Sequence, residues 1–215
     1  RTSISITENV QVTFFRNGHL LGAALILVDI SFPEFQSIHL LFTGDYNNKN
    51  YFFDVDSLPE EVFELPITII QESTYGTMDS TEICPCFEEN LLANVNKGGT
   101  AVVPVFSLGR SQEILYILKK MQDSGKLDVN VPIYFDGKLE RRYTYLYLNR
   151  QLEIREDMLD FLPKNMDFVD GDMRATILQD INSKIIVTTS GMGSYGPAQV
   201  YIPTFIKHKN CLIHF

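Results

Sequence analysis

The sequence is poor in cations, histidines and cysteines, and each shortage removes a class of function. Lys and Arg number 18 against 27 Asp and Glu, a formal net charge of −9, and the isoelectric point is near 4.9. A protein that coats nucleic acid draws its affinity from many Lys and Arg contacts to phosphate, so the charge balance argues against a general coat. A small positive groove is not, because net charge and local field are separate quantities. Three cysteines, Cys84, Cys86 and Cys211, are an odd number, and with only four histidines they argue against a dedicated cysteine zinc site. No apolar run reaches membrane-spanning length, and no basic-then-apolar signal segment opens the chain. The expectation is a cytoplasmic protein that does not enter a membrane. Repeats, a P-loop and a GxGxxG fingerprint are all missing, so a nucleotide cofactor is not expected.

What remains is ordinary globular material. Of 215 residues, 45% are hydrophobic and 21% charged, enough for one large domain or two small ones. The first residue is Arg1 rather than Met, and residues 211–215 read as a strand stopped mid-sheet, so both ends are read as cut. Strands are expected over 10–15, 24–30, 38–42 and 67–71. From Ser80 onward helices and strands alternate: helix 82–96, strand 100–106, helix 110–124, strand 132–135, helix 138–149. Helix 173–181, strand 185–189, helix 197–206 and strand 211–215 complete the pattern. Helix 110–124 carries an apolar stripe of Ile114, Leu115, Ile117 and Leu118. Such alternation indicates a mostly parallel sheet covered on both faces. A boundary near residue 78 divides a β-rich piece, 1–78, from an α/β domain, 79–215.

Three constellations carry chemistry. In Gly18-His19-Leu20-Leu21-Gly22-Ala23-Ala24, a histidine stands between a strand end and a glycine-rich turn, where small residues let the backbone come close. Alone it reads more readily as a hydrogen-bonded loop histidine than as a ligand. In Phe42-Thr43-Gly44-Asp45-Tyr46, an apolar strand ends in a carboxylate whose two hard oxygens suit divalent cations. Its bland alternative is an Asp that caps a turn. In Gln71-Glu72-Ser73-Thr74-Tyr75-Gly76, an acid again stands at a strand's C-terminal end. Three consecutive strand ends thus deliver His, Asp and Glu, and in one sheet they can converge.

These segments, with Pro104-Val105-Phe106-Ser107-Leu108-Gly109-Arg110-Ser111-Gln112-Glu113 and Ser190-Gly191-Met192 followed by Gly196-Pro197, resemble in order five signature motifs of the β-CASP metallo-β-lactamases. They cover the chain from about residue 14 to its end, and the RNA-processing branch fits better than the DNA-repair branch. The resemblance implies an α/β protein: part of an αββα sandwich, then a β-CASP domain with a mostly parallel sheet flanked by helices. It implies that His19 is a zinc ligand and Asp45 the carboxylate bridging two zinc ions. Glu72 becomes the acid that orients a metal-ligating or catalytic histidine, so Asp45 and Glu72 are the catalytic candidates. The implied reaction is hydrolysis of an RNA phosphodiester by a metal-activated hydroxide.

One departure matters equally. The family's HxHxDH motif and its two downstream histidine motifs are absent from these 215 residues, and His39, His208 and His214 match none of them. Two ligands fall short of a catalytic zinc pair, so the chain alone is expected to be metal-poor and inactive. The substrate-binding candidates are Ser107, Gly109 and Arg110, where a helix N-terminus and a guanidinium can face one phosphate, and the glycine-rich Ser190, Gly191 and Met192. Lys138, Arg141 and Arg142 either line an RNA path or form a solvated face. The expected partner is single-stranded RNA held in a cleft between two domains. Family analogy adds a homodimer or a partner subunit in an RNA-processing complex. Two other readings stay open: a non-catalytic pseudo-nuclease scaffold, and a small-molecule hydrolase of the same superfamily, against which the last two motifs count.

Overall fold

The structure is a computed structural model that describes residues 2–74, 76, 86–149 and 154–215. The chain forms two compact units, Arg1–Ser80 with Glu153–Arg155, and Thr81–Leu152 with Glu156–Phe215.

The first unit is a five-stranded sheet in the order β1-β2-β3-β4-β5. Its strands are β1 (Thr2–Thr7), β2 (Val10–Arg16), β3 (Ala24–Phe32), β4 (Phe35–Phe42) and β5 (Ile67–Ile70). Alternation decides its two faces, since successive side chains point to opposite sides. Phe15, Leu27 and Leu41 fill one face and pack with Val62 of the short helix α1 (Glu60–Phe63) into a buried cluster. Strands β1 to β4 pair antiparallel, and β5 joins β4 in parallel. Consequently β2, β4 and β5 run in one direction. Their C-terminal ends lie along a single edge of the sheet, and that edge positions the site.

The second unit is an all-parallel sheet in the order β10-β6-β9-β7-β8. Its strands are β6 (Thr100–Pro104), β7 (Ile133–Asp136), β8 (Met166–Phe168), β9 (Lys184–Thr188) and β10 (Cys211–Ile213). Five helices accompany it: α2 (Phe87–Val95), α3 (Arg110–Asp123), α4 (Lys138–Tyr147), α5 (Gly171–Gln179) and α6 (Ala198–Phe205). Every residue of β6 and β9 is buried, as a parallel sheet between helical layers requires. Val102 and Ile186 pack on one face with Ile177 of α5 and with Tyr201 and Phe205 of α6. Asp136, at the end of β7, is 1% exposed. It accepts hydrogen bonds from Arg174 Nε at 2.6 Å and Nη2 at 2.8 Å, and from the Tyr201 hydroxyl at 2.7 Å. A buried carboxylate is tolerated only with such a full set of donors.

The α/β architecture expected from the sequence is the one observed. Strand β1 was not among the expected elements: its isoleucines alternate with Ser and Thr, and all six of its residues are exposed, so no core pattern marks it. Strand β8 has three residues, too few for a periodic signal. Helix α5 begins at Gly171 rather than at 173 because the Asp170 carboxylate accepts the Met173 amide at 2.9 Å and caps it. Of the expected helix 82–96, the first four positions lie outside the described residues.

Candidate metal-binding edge and substrate loops

Residues 17–19 follow β2, residues 43–45 follow β4, and Glu72 stands two residues past β5. Gly18 makes the first turn feasible. Its φ is +72°, and a Cβ there would lie 2.2 Å from the Asn47 carbonyl oxygen, so a side chain would displace one loop or the other. His19 and Asp45 meet at this edge, Nε2 to Oδ2 at 3.9 Å, with side chains 39% and 64% exposed.

What joins their loops is Asn17, only 2% exposed. Its amide nitrogen donates to the Thr43 carbonyl at 3.0 Å and to the Asp45 carbonyl at 2.9 Å. Its amide oxygen accepts the His19 N–H at 3.1 Å. One buried side chain therefore fixes the backbone of both candidate ligands. Nothing local in the sequence marks Asn17 as buried, because an Asn before a Gly reads as a turn.

Glu72 joins the same edge through the Thr43 hydroxyl, which accepts its backbone N–H at 3.2 Å. Its carboxylate accepts the Thr74 amide at 2.7 Å, so the side chain is turned onto its own loop. That amide, with the Thr74 hydroxyl and the nearby His19, holds the Glu72 carboxyl below the usual glutamate range.

The imidazole nitrogen and carboxylate oxygen fit a borderline divalent cation in donor type, and their separation lies within the span of two metal–ligand bonds, roughly 4 Å. They do not fit in number. Among the described residues no group of three or more His, Cys, Asp or Glu side chains could hold a metal ion. The other three histidines are engaged elsewhere: His39 Nδ1 contacts Asp29 Oδ1 at 2.6 Å, and the rings of His208 and His214 pack at a 60° tilt against Phe205 and Phe87.

In the second unit, the loop from β6 into α3 is held from within. The Ser107 hydroxyl donates to the buried Glu140 carboxylate. Gly109, at φ +84°, donates its amide to Gln112 Oε1 at 2.8 Å. Gln112 in turn donates to the Thr144 hydroxyl at 3.0 Å, tying α3 to α4. Arg110 is 65% exposed in its side chain and pairs with Glu113 at 2.8 Å. The loop after β9 is organised similarly. Ser190 is buried, and its hydroxyl accepts the amides of Ser194 and Tyr195 at 3.0 and 3.1 Å. Ser107, Gly109 and Ser190 therefore commit their polar groups to loop geometry, while Arg110 and Met192 face outward and Gly191 packs against Phe106. Arg141 lies over the Phe168 ring at 5.0 Å, which accounts for it as a stacked surface residue.

Residues 111–215 match the Beta-Casp domain family. Over nearly the whole chain the sequence is similar to proteins of RNA metabolism. It is 32% identical to an RNase J-like protein of Methanocaldococcus jannaschii, covering 97% of this chain and 49% of that protein. It is 31% identical to the transcription termination factor FttA of Methanosarcina mazei, covering 97% of this chain and 34% of the relative. It is 30% identical to the endoribonuclease ysh1 of Schizosaccharomyces pombe, covering 91% of this chain and 26% of the relative. The chain thus spans half or less of the length of these relatives.

Proposed function

Because the chain belongs to the β-CASP family of metallo-β-lactamase-fold proteins, we propose that it carries part of the metal site and the substrate-holding domain of a zinc-dependent ribonuclease. The observation that supports this most strongly is the convergence of His19 and Asp45 on one sheet edge, with Glu72 alongside. His19 and Asp45 would hold zinc together with ligands from outside the described residues. The metal ions would supply Lewis-acid activation of water and charge neutralisation at the phosphoryl oxygens. The chain's own residues do the rest. Asn17 fixes both ligand loops, and Glu72 adds negative charge beside His19. Arg110 offers a guanidinium to the RNA backbone. With two such ligands among the described residues, the chain by itself is expected not to cleave.

The name of a homologous endoribonuclease favours this enzyme over a pseudo-nuclease scaffold. Single-stranded RNA is the substrate on this reading, in the cytoplasm, with a homodimer or a processing complex as the assembly. The test is cleavage of a labelled single-stranded RNA by the full-length protein. Asp45→Ala is expected to lower the rate by about 100-fold or more, and undiminished cleavage removes Asp45 from the mechanism.

A further inference from the structure

A cavity of about 400 Å³ opens on the second unit beside the end of β6. Phe87, Phe106 and Ile114 give it apolar walls, His214 and Gly191 complete the part that matters here, and Arg110 supplies a cation. Phe106 is 56% exposed although it follows a strand in which every residue is buried. The Gly191 loop runs directly against its ring: a Cβ on Gly191 would lie 3.1 Å from Phe106 Cδ2. In the same lining the rings of Phe87 and His214 pair with centroids 5.0 Å apart. The Arg110–Glu113 pair uses one terminal nitrogen of a mostly exposed guanidinium, which leaves other donors toward solvent.

We infer that this cavity takes an unstacked nucleobase of single-stranded RNA, with the Phe106 ring as its platform and Arg110 on an adjoining phosphate. The inference rests on the ribonuclease reading above and specifies which part of the RNA the β-CASP domain holds. A planar base suits open aromatic walls, and stacking on them tolerates any base identity. Charge points the same way. On a chain of net charge −9, phosphate needs a local cation, and the cavity has one at its wall.

The test uses the full-length protein and a labelled, phosphorothioate-linked single-stranded RNA octamer, compared by anisotropy with octamers made abasic at each position in turn. The wild type is expected to lose about tenfold in affinity at one abasic position. Phe106→Ala, a change at an exposed side chain, should abolish that difference, and Phe106→Tyr should keep it. Equal binding of all octamers by the wild type overturns the base site while the RNA reading stands. A base preference unchanged by Phe106→Ala also overturns it, and no binding of any octamer overturns the RNA reading together with the site.

Discussion

The two sheets of this molecule treat their apolar residues differently. In the parallel sheet, β6 and β9 bury every side chain, and the helices that cover them belong to the crossovers between strands. In the hairpin sheet only one face is filled. Ile4, Val12, Val28 and Leu40 stand opposite one another across the other face, where Ile4, Ile38, Phe42 and Ile70 are 48%, 45%, 37% and 46% exposed. A parallel unit brings its own cover with each crossover, whereas hairpins supply none. An apolar face of that breadth suits a second layer, as in a sandwich. The contrast therefore separates a sheet whose central strands are covered on both faces from one packed on a single face.

The largest effect should come from the interior of the parallel-sheet unit. Asp136→Ala leaves Arg174 and Tyr201 without their shared acceptor, and chemical denaturation is expected to show a loss of about 3 kcal/mol. Core truncation sharpens the comparison directly. Ile186→Ala, at 0% exposure, should cost about 3 kcal/mol, and Ile38→Ala on the bare face less than about 1 kcal/mol in the 215-residue chain. Equal losses would mean that the outer face is covered after all.

At the sheet edge, Asn17→Ala should weaken metal affinity of the full-length protein by about 10- to 100-fold, measured by competition with a chelator. The smallest effect is a pH dependence. Burial alone would raise the Asp56 carboxyl, but the side chain and backbone amide of Arg16 hold it below the usual aspartate range. A depressed native value stabilises the fold above the unfolded aspartate's range, and that contribution disappears as pH falls through the native one. Asp56→Asn should flatten this acid limb in a series of denaturation curves.

Much of this was legible in the sequence where periodicity is long. Helix α3 was readable from its stripe, of which Ile114, Leu115 and Leu118 are buried, while Ile117 lines the cavity instead. The continuous apolar runs of β6 and β9 announced a doubly covered sheet. His19, Asp45 and Glu72 were visible as polar residues at strand ends, and strand direction then brought those ends to one edge. Asn17 and Phe106 were not legible as site residues, because burial of the one and exposure of the other are set by tertiary packing. Nor could the sequence show that Ser107 and Ser190 turn inward, since a hydroxyl serves a buried carboxylate or a ligand equally well.

The most direct measurement of the account is elemental metal analysis of the full-length protein, purified without chelator, beside its His19→Ala and Asp45→Ala variants and beside the 215-residue chain. The account predicts stoichiometric zinc in the full-length protein, loss of zinc in both variants, and only traces in the chain. A full zinc complement in either variant, or in the isolated chain, would contradict it.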